Sequence, residues 1–216
     1  MGDLSRVEVI ANPVDVSPLT AGDSAAASGF WRPDRRHVLA IGRLDDGKAF
    51  HLLMRAFADA LGARPEWDLV IMGEGPERHA LEKLRGELGL DGRVHLPGRV
   101  SEPWAVGRAA DMLVLSSRFE GFPNVILEAM AHGVPPVSFD CPIGPRHILT
   151  HGKDGLLVPP EDVPMLAAAI GRVAESDDLR AGLAAGAGIS AQRYATASVM
   201  ERWNQLILRL TGVRPL

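Results

Sequence analysis

The chain has 216 residues, of which 46% are hydrophobic and 23% charged, as in an ordinary globular protein with a sizeable core. The formal net charge of −4 gives no global attraction to nucleic acid or to an anionic membrane, so nucleic acid is not an expected partner. Cys141 is the only cysteine, which excludes an intrachain disulfide and a cysteine-based metal cage and fits a cytoplasmic protein. No apolar run approaches the roughly 18 residues of a membrane helix.

The first 33 residues differ in composition from the rest of the chain. Val7 to Ile10 is predicted to be a short strand that leads into an Asn-Pro turn, and no signal-peptide pattern precedes it. Asp15 to Pro33 is rich in small and turn-forming residues and predicts a linker or loop. We therefore divide the chain into an interdomain strand and loop over residues 1–33 and a folded domain over residues 34–216. A chain that starts on a strand is expected to belong to a longer protein.

Short apolar strands alternate with amphipathic helices in the folded domain. Strands are predicted at residues 37–41, 68–72, 94–96, 111–115, 136–139 and 155–158. Helical spacing covers residues 47–61, 77–88, about 102–108, 123–131 and most of 161–210. The strands lack the polar alternation of a sheet with one wet face. This pattern predicts right-handed βαβ units and an α/β, Rossmann-like fold with a doubly wound parallel sheet of about six strands.

Ligands of such sheets bind beyond the carboxyl ends of the strands, so the loops after the strands are the candidate site. The first loop, GRLDDGKAF, carries Arg43 and Lys48 at a strand-to-helix turn. Two cations beside free backbone N–H groups favour a phosphate or diphosphate. The alternative is that both are surface charges, one of them paired with Asp45 or Asp46. The loop lacks the GxxxxGK[ST] and GxGxxG patterns, which disfavours an ATPase or NAD enzyme of those types.

The stretch EGFPNVILE places Glu120 and Glu128 on either side of a turn and the start of a helix at Pro123. A carboxylate would repel a diphosphate, so these acids are expected to face hydroxyl groups, such as a ribose diol and a sugar hydroxyl. The alternative is that both are solvated charges. Apolar neighbours on both sides of Glu128 make a fully exposed position less favourable for it.

The loop SFDCPIGPRHI predicts a rigid turn around Gly144, and His147 is interpreted as an ordinary histidine at a helix start. The seven histidines are scattered, and no group of His, Asp and Glu has metal-ligand spacing. No Ser-His-Asp or Cys-His arrangement can be argued from the local sequence. We therefore expect neither a metal site nor a nucleophilic triad.

Together, the stretches GRLDDGK, LVIMGEGPERHALEKL, VHLPGRV, EGFPNVILEAMAHGVPPVSFDCPIGP and DGLLVPPED resemble the C-terminal half of retaining glycosyltransferases with the GT-B fold, in the GT4 family. That half binds the nucleotide sugar, and the spacing of Glu120 and Glu128 is the hallmark of the family. Two positions depart from the family pattern. Ala49 stands where glycine is common, and His147 stands where an acidic residue is common.

The resemblance implies a role for each matching residue. Arg43 and Lys48 would hold the diphosphate in place of a metal, Glu128 would bind the ribose, and Glu120 would lie near the donor sugar. Arg43, Lys48 and Glu120 are therefore the predicted catalytic residues, with no cofactor. The remaining residues of the predicted nucleotide-sugar pocket are Gly42, Gly73, Arg99, Val100, Gly121, Phe122, Pro123, Asn124 and Val125.

The resemblance also implies a reaction. A hexose or N-acetylhexosamine would move from a UDP-sugar to a glycan or a lipid-linked acceptor with retention at the anomeric carbon, in the synthesis of a bacterial surface polysaccharide. The acceptor site would belong to an N-terminal domain outside this chain, which could also attach the protein to the inner face of a membrane. The isolated chain is then expected to be inactive. The alternatives are a non-catalytic nucleotide-binding module and another GT-B enzyme, such as an epimerase or a phosphorylase, although no pyridoxal lysine site is identifiable.

Overall fold

The structure is a computed structural model that describes residues 7–16 and 29–212. One six-stranded sheet has the order β3-β2-β1-β4-β5-β6, and every strand pair in it is parallel. The strands are β1 (Arg36–Ile41), β2 (Trp67–Met72), β3 (Val94–Gly98), β4 (Met112–Leu115), β5 (Pro136–Phe139) and β6 (Leu156–Val158). The strand order reverses between β1 and β4, so the doubly wound parallel sheet is confirmed.

Helices cover both faces of this sheet. They are α1 (Phe50–Leu61), α2 (Arg78–Glu87), α3 (Pro103–Gly107), α4 (Asn124–Ala131), α5 (Pro145–Ile148), α6 (Val163–Glu175), α7 (Asp177–Ala191) and α8 (Thr196–Thr211). Within β1, Val38 packs with α1, α2 and α6, whereas the next residue, Leu39, packs with α3, α4 and α7. Successive strand side chains point to opposite faces, and both faces are buried, which explains why the strands are mostly apolar.

The turn before α1 accounts for the difference between the predicted and observed start of this helix. Asp45 accepts a hydrogen bond from the Lys48 backbone N–H and caps a short 3-10 turn at Asp46–Lys48. Ala49 then takes a left-handed conformation (φ 49°, ψ 40°), so α1 begins at Phe50 rather than at residue 47. A left-handed backbone suits glycine, which has no Cβ penalty there. Ala49 is fully buried and keeps its methyl group in the core.

The predicted strand over Val7 to Ile10 is wrong. These residues are irregular, and the side chains of Val7 and Val9 are largely exposed. The segment does not pair with the sheet. It instead lies along α8 and the turn before it, where Arg202 donates a hydrogen bond to the Val9 carbonyl (2.9 Å) and the Val14 N–H bonds the Tyr194 carbonyl (2.8 Å). The backbone N–H and C=O groups of a strand need a neighbouring strand as their hydrogen-bond partner, and the pattern of apolar residues in the sequence does not show whether one is present.

Part of the predicted linker packs on the folded domain. Residues 17–28 lie outside the described residues, but the Trp31 ring is buried and stacks on His37 at 3.9 Å between ring centroids. Arg32 and Arg35 each place Nη2 2.7 Å from the buried carboxylate of Asp68, at the amino end of β2. The division of the chain at residue 33 stays a prediction.

Candidate functional site

Five of the predicted binding residues lie together around a cavity of about 330 Å³ at the carboxyl ends of β1 and β2. They are Gly42, Arg43, Gly73, Arg99 and Val100. We call this space the first cavity. It lies beside the position at which the strand order reverses, where ligands of doubly wound sheets bind. The loops after β1, β2 and β3 thus meet at this cavity, whereas no residue of the predicted loops after β4 and β5 lines it.

The floor of the first cavity depends on a close approach of two glycines. Gly73 has a φ of +153°, and a Cβ on it would lie 1.8 Å from the carbonyl oxygen of Gly42. The Gly73 N–H donates to the Gly98 carbonyl at 2.9 Å, which ties the ends of β2 and β3 together. No side chain larger than hydrogen fits at this position, so the cavity wall here is backbone.

Arg43 and Lys48 do not point to the same place. Arg43 is 72% exposed at its side chain, and its Nε is 3.7 Å from Asp45 Oδ2, so its guanidinium remains accessible at the first cavity. The Lys48 ammonium instead binds Glu120, with 2.6 Å between Nζ and Oε1. The sequence left open the alternative that Arg43 and Lys48 are surface charges, one of them paired with Asp45 or Asp46. Arg43 fits this alternative in part, because it is exposed and lies near Asp45. Lys48 does not fit it, because its ammonium binds Glu120 and neither aspartate.

Lys48 and Glu120 form a partly buried ion pair. The side chains are 25% and 10% exposed, and the Ser117 hydroxyl donates a second short hydrogen bond to Glu120 Oε1 (2.6 Å). The Lys48 stem passes Gly42, where a Cβ would lie 3.3 Å from Lys48 Cε. The pair therefore joins the edge of the first cavity to the loop after β4. Charge-assisted hydrogen bonds of this length are strong and directional.

Arg118 fixes the two loops that carry this pair. Its backbone N–H bonds the Gly47 carbonyl (2.9 Å), and its guanidinium binds the Asp46 carbonyl, the Asp46 carboxylate and Glu161. Sequence reasoning missed both Arg118 and Ser117. The signal that could have found them is their place in the loop that contains Glu120.

Glu128 has a specific partner that the sequence did not predict. The indole N–H of Trp104 in α3 donates to Glu128 Oε2 at 2.7 Å. Trp104 directly follows Pro103, a lining residue of the first cavity. The Trp104 ring also contacts His132 at 5.1 Å between centroids, and burial lowers the pKa of His132 against the opposing effect of the Glu128 charge. Glu128 is thus half-buried and oriented, so the fully solvated alternative does not hold for it.

The remaining predicted residues lie elsewhere. Gly121 and Phe122 line a second cavity of about 640 Å³, and they are not among the residues that line the first cavity. Pro123, Asn124 and Val125 line neither of these two cavities. Pro123 is buried and directly precedes α4, so the observed helix begins one residue after the predicted start, and Asn124 Oδ1 accepts a hydrogen bond from Asn12 (2.9 Å).

Across residues 7–16 and 29–212, no group of three or more His, Cys, Asp or Glu side chains could hold a metal ion. Across the same residues, each helix is too short or too polar to pass through a bilayer.

This geometry defines a doubly wound α/β domain with two arginines, Arg43 and Arg99, at a cavity beside the switch point of its sheet. The sequence profile described as "Glycosyl transferases group 1" matches residues 35–176. The chain belongs to this family of glycosyltransferases, and its sheet is the Rossmann-like sheet of GT-B proteins.

Several known proteins are similar to this chain. It is 39% identical over 175 residues to an exopolysaccharide phosphotransferase of Streptomyces coelicolor, covering 80% of this chain and 18% of that protein. It is 34% identical to the lipopolysaccharide core biosynthesis glycosyltransferase LpsE of Rhizobium meliloti, covering 85% of this chain and 52% of LpsE. The crystal structure of Anabaena HepE in complex with UDP superimposes with a TM-score of 0.86 at 25% identity, covering 98% of this chain and 59% of HepE. The chain therefore spans between 18% and 59% of the length of these proteins.

Proposed function

We propose that the first cavity binds a UDP-sugar and that the complete protein transfers its hexose or N-acetylhexosamine, with retention, to a glycan or a lipid-linked acceptor. The observation that carries the proposal is the accessible Arg43 guanidinium at the switch point, close to the Lys48–Glu120 pair. Membership of the glycosyltransferase family supports it, as does the solved complex of HepE with UDP-glucose (TM-score 0.84, 25% identity).

In the proposed mechanism, the bond between the anomeric carbon and the diphosphate oxygen breaks, and its electron pair stays on the diphosphate. Arg43 and Lys48 stabilise this growing charge. An ammonium has three N–H donors, so Lys48 can keep Glu120 while it donates to a phosphate. The acceptor oxygen attacks on the face that the diphosphate leaves, which gives retention. Its proton passes to an oxygen of the departing diphosphate.

The two glutamates have different proposed partners. Glu128 binds the ribose diol, and the Trp104 indole fixes one of its oxygens in advance. Glu120 faces the donor sugar, where hydrogen bonds from Lys48 and Ser117 hold its carboxylate in position. We assign Arg99 and Val100, which line the first cavity, to the binding of the nucleotide base. This arrangement places cations at the phosphates and acids at hydroxyl groups, as the chemistry requires.

The proposal also covers the parts that this chain does not supply. Because the match covers between 18% and 59% of the three similar proteins described above, we assign the acceptor site to another domain, which would also provide any peripheral attachment to the cytoplasmic face of a membrane. The isolated chain then binds the donor and transfers nothing. Arg43 and Lys48 make a metal unnecessary, so chelator should leave UDP binding unchanged.

Calorimetric titration with UDP tests the proposal. The Arg43→Gln and Glu128→Gln proteins should each bind UDP on the order of tenfold or more weakly, since each loses a hydrogen bond to or from a charged group. Arg55→Gln, an exposed arginine on α1, is the matched control and should bind UDP normally. UDP affinity that is unchanged in both site variants would remove the basis of the proposal.

A further inference from the structure

Glu74 follows β2 and lines the first cavity, and it has no role in the mechanism proposed above. Among the described residues that line this cavity, no other is acidic. The Glu74 side chain is 48% exposed, so a ligand can reach its carboxylate. The backbone is fixed, because the Leu44 N–H donates to the Glu74 carbonyl at 3.0 Å and the Glu77 N–H donates to the Leu44 carbonyl at 2.9 Å. The loops after β1 and β2 therefore hold Glu74 at one position in the cavity wall.

Arg78 of α2 orients this carboxylate. Its Nη1 donates to Glu74 Oε1 at 2.9 Å, and its Nη2 donates to the Leu96 carbonyl of β3 at 2.8 Å. The Arg78 Nε lies 3.0 Å from Glu82 Oε1, which holds the guanidinium from a third side. Gly98 allows the carboxylate to lie against the end of β3, since a Cβ on Gly98 would be 2.7 Å from Glu74 Oε1. The hydrogen bond from Arg78 uses Oε1 and leaves Oε2 to accept from a ligand.

The order of the strands places Glu74 at the nucleoside end of the proposed ligand. Along the sheet order β3-β2-β1-β4, the residues that follow the strands are Arg99, Glu74, Arg43 and Glu120. The diphosphate is assigned to Arg43 and to the Lys48–Glu120 pair, so the cavity wall beyond β2 and β3 is left for the nucleoside. A carboxylate repels a phosphate and accepts hydrogen bonds from N–H groups. Glu74 is therefore suited to the base, which is assigned to the neighbouring Arg99.

A carboxylate at this position distinguishes between the two pyrimidine bases. An ionised carboxylate accepts hydrogen bonds and donates none. Uracil has an N–H donor at N3 between its two carbonyl groups, whereas N3 of cytosine is itself an acceptor. Glu74 Oε2 would gain a charge-assisted hydrogen bond from uracil and would meet a second acceptor in cytosine. The two bases have the same size, so hydrogen bonding rather than volume separates them.

We infer that Glu74 determines the base specificity of the first cavity: its carboxylate accepts the N3–H of uracil and so favours UDP over CDP. Arg78 is a positioning residue, which acts on the base through Glu74. This inference rests on the proposed function, since it requires a nucleoside diphosphate with its phosphates at Arg43.

Calorimetric titration of the 216-residue chain with UDP and then with CDP tests the inference. We expect UDP to bind on the order of tenfold tighter than CDP, because it adds one hydrogen bond to a charged group. Glu74→Gln should bring the two affinities to within about twofold of each other, since an amide can donate to cytosine N3 as well as accept from uracil N3–H. Arg78→Gln should reduce the preference, and Arg78→Lys should keep more of it because a cation still faces the carboxylate.

Arg85→Gln is the matched control. Arg85 lies on the same helix and is similarly exposed, at 31% against 34% for Arg78. It binds Asp91 at 3.0 Å and the Val94 carbonyl at the other end of β3 at 3.4 Å, and it does not line the first cavity. We expect Arg85→Gln to keep the full preference for UDP. Urea unfolding of each variant separates a loss of stability from a change of base preference.

Three results would overturn the inference: equal affinities of the unchanged chain for UDP and CDP, a preference that survives Glu74→Gln, or an equal loss of preference in Arg85→Gln. A preference that survives Arg78→Gln would contradict the positioning role of Arg78. UDP is titrated first, and a chain that binds neither nucleotide refutes the proposed function. A chain that binds both equally well refutes only the role of Glu74.

Discussion

The ion pair between Lys48 and Glu120 can be tested by a double-mutant cycle with Lys48→Met, Glu120→Gln and the combined protein. Lys48→Met leaves a carboxylate that is only 10% exposed without its cation, although Ser117 still donates to it. A fully buried pair that loses one partner costs about 3–5 kcal/mol, and an exposed pair costs less than about 1 kcal/mol. With side chains 25% and 10% exposed, we expect Lys48→Met to cost about 2 kcal/mol of unfolding free energy.

The cycle then isolates the interaction itself. Because Gln keeps the shape of Glu120 and has no charge, we expect the combined protein to be about 1–2 kcal/mol more stable than the sum of the single changes predicts. Urea unfolding followed by circular dichroism measures all four proteins, and UDP calorimetry follows. Glu120→Gln should keep or strengthen UDP binding, because a negative charge near the diphosphate is gone and Lys48 is released. Lys48→Met should weaken it.

The reasoning is refuted if the single changes add to within about 0.5 kcal/mol. Additive changes would mean that the contact at 2.6 Å contributes nothing in solution. Weaker UDP binding by Glu120→Gln would separately contradict the assignment of Glu120 to the sugar rather than the phosphates.

Three further changes test other parts of the structure. Gly73→Ala should destabilise the domain by more than about 2 kcal/mol and abolish UDP binding, since its Cβ would lie 1.8 Å from the Gly42 carbonyl; urea unfolding and calorimetry check both effects. Asp68→Asn should cost about 2–3 kcal/mol in urea unfolding, because it leaves two arginines without their carboxylate. Burial lowers the pKa of His37, so the unfolded chain binds the proton more readily and stability should fall as the pH drops through about 6.5. His37→Phe should reduce this loss between pH 7.5 and 5.5 in urea unfolding, and His79→Phe, at an exposed position, should not.

Much of the fold could be predicted because the relevant signals are local. Strands such as Met112–Leu115 are continuously apolar, and helices such as Phe50–Leu61 have one apolar face, so a parallel sheet with two covered faces follows from neighbouring residues. The same reasoning failed at Val7 to Ile10. Alternating apolar residues favour a strand only where another strand offers its backbone groups, and this segment meets Arg202 and Tyr194 instead.

The sequence by itself determined that the loops after β1, β2 and β3 meet, because parallel strands bring their carboxyl ends to one edge and Arg43, Gly73 and Arg99 follow three of them. Only the tertiary structure decided which side chains meet. Lys48 pairs with Glu120, which is 72 positions away, and Trp104 donates to Glu128. Contacts between distant segments depend on how helices pack on the sheet, and no local pattern encodes that packing. For the same reason, the loop after Glu120 lines a cavity of its own instead of the one that holds Arg43.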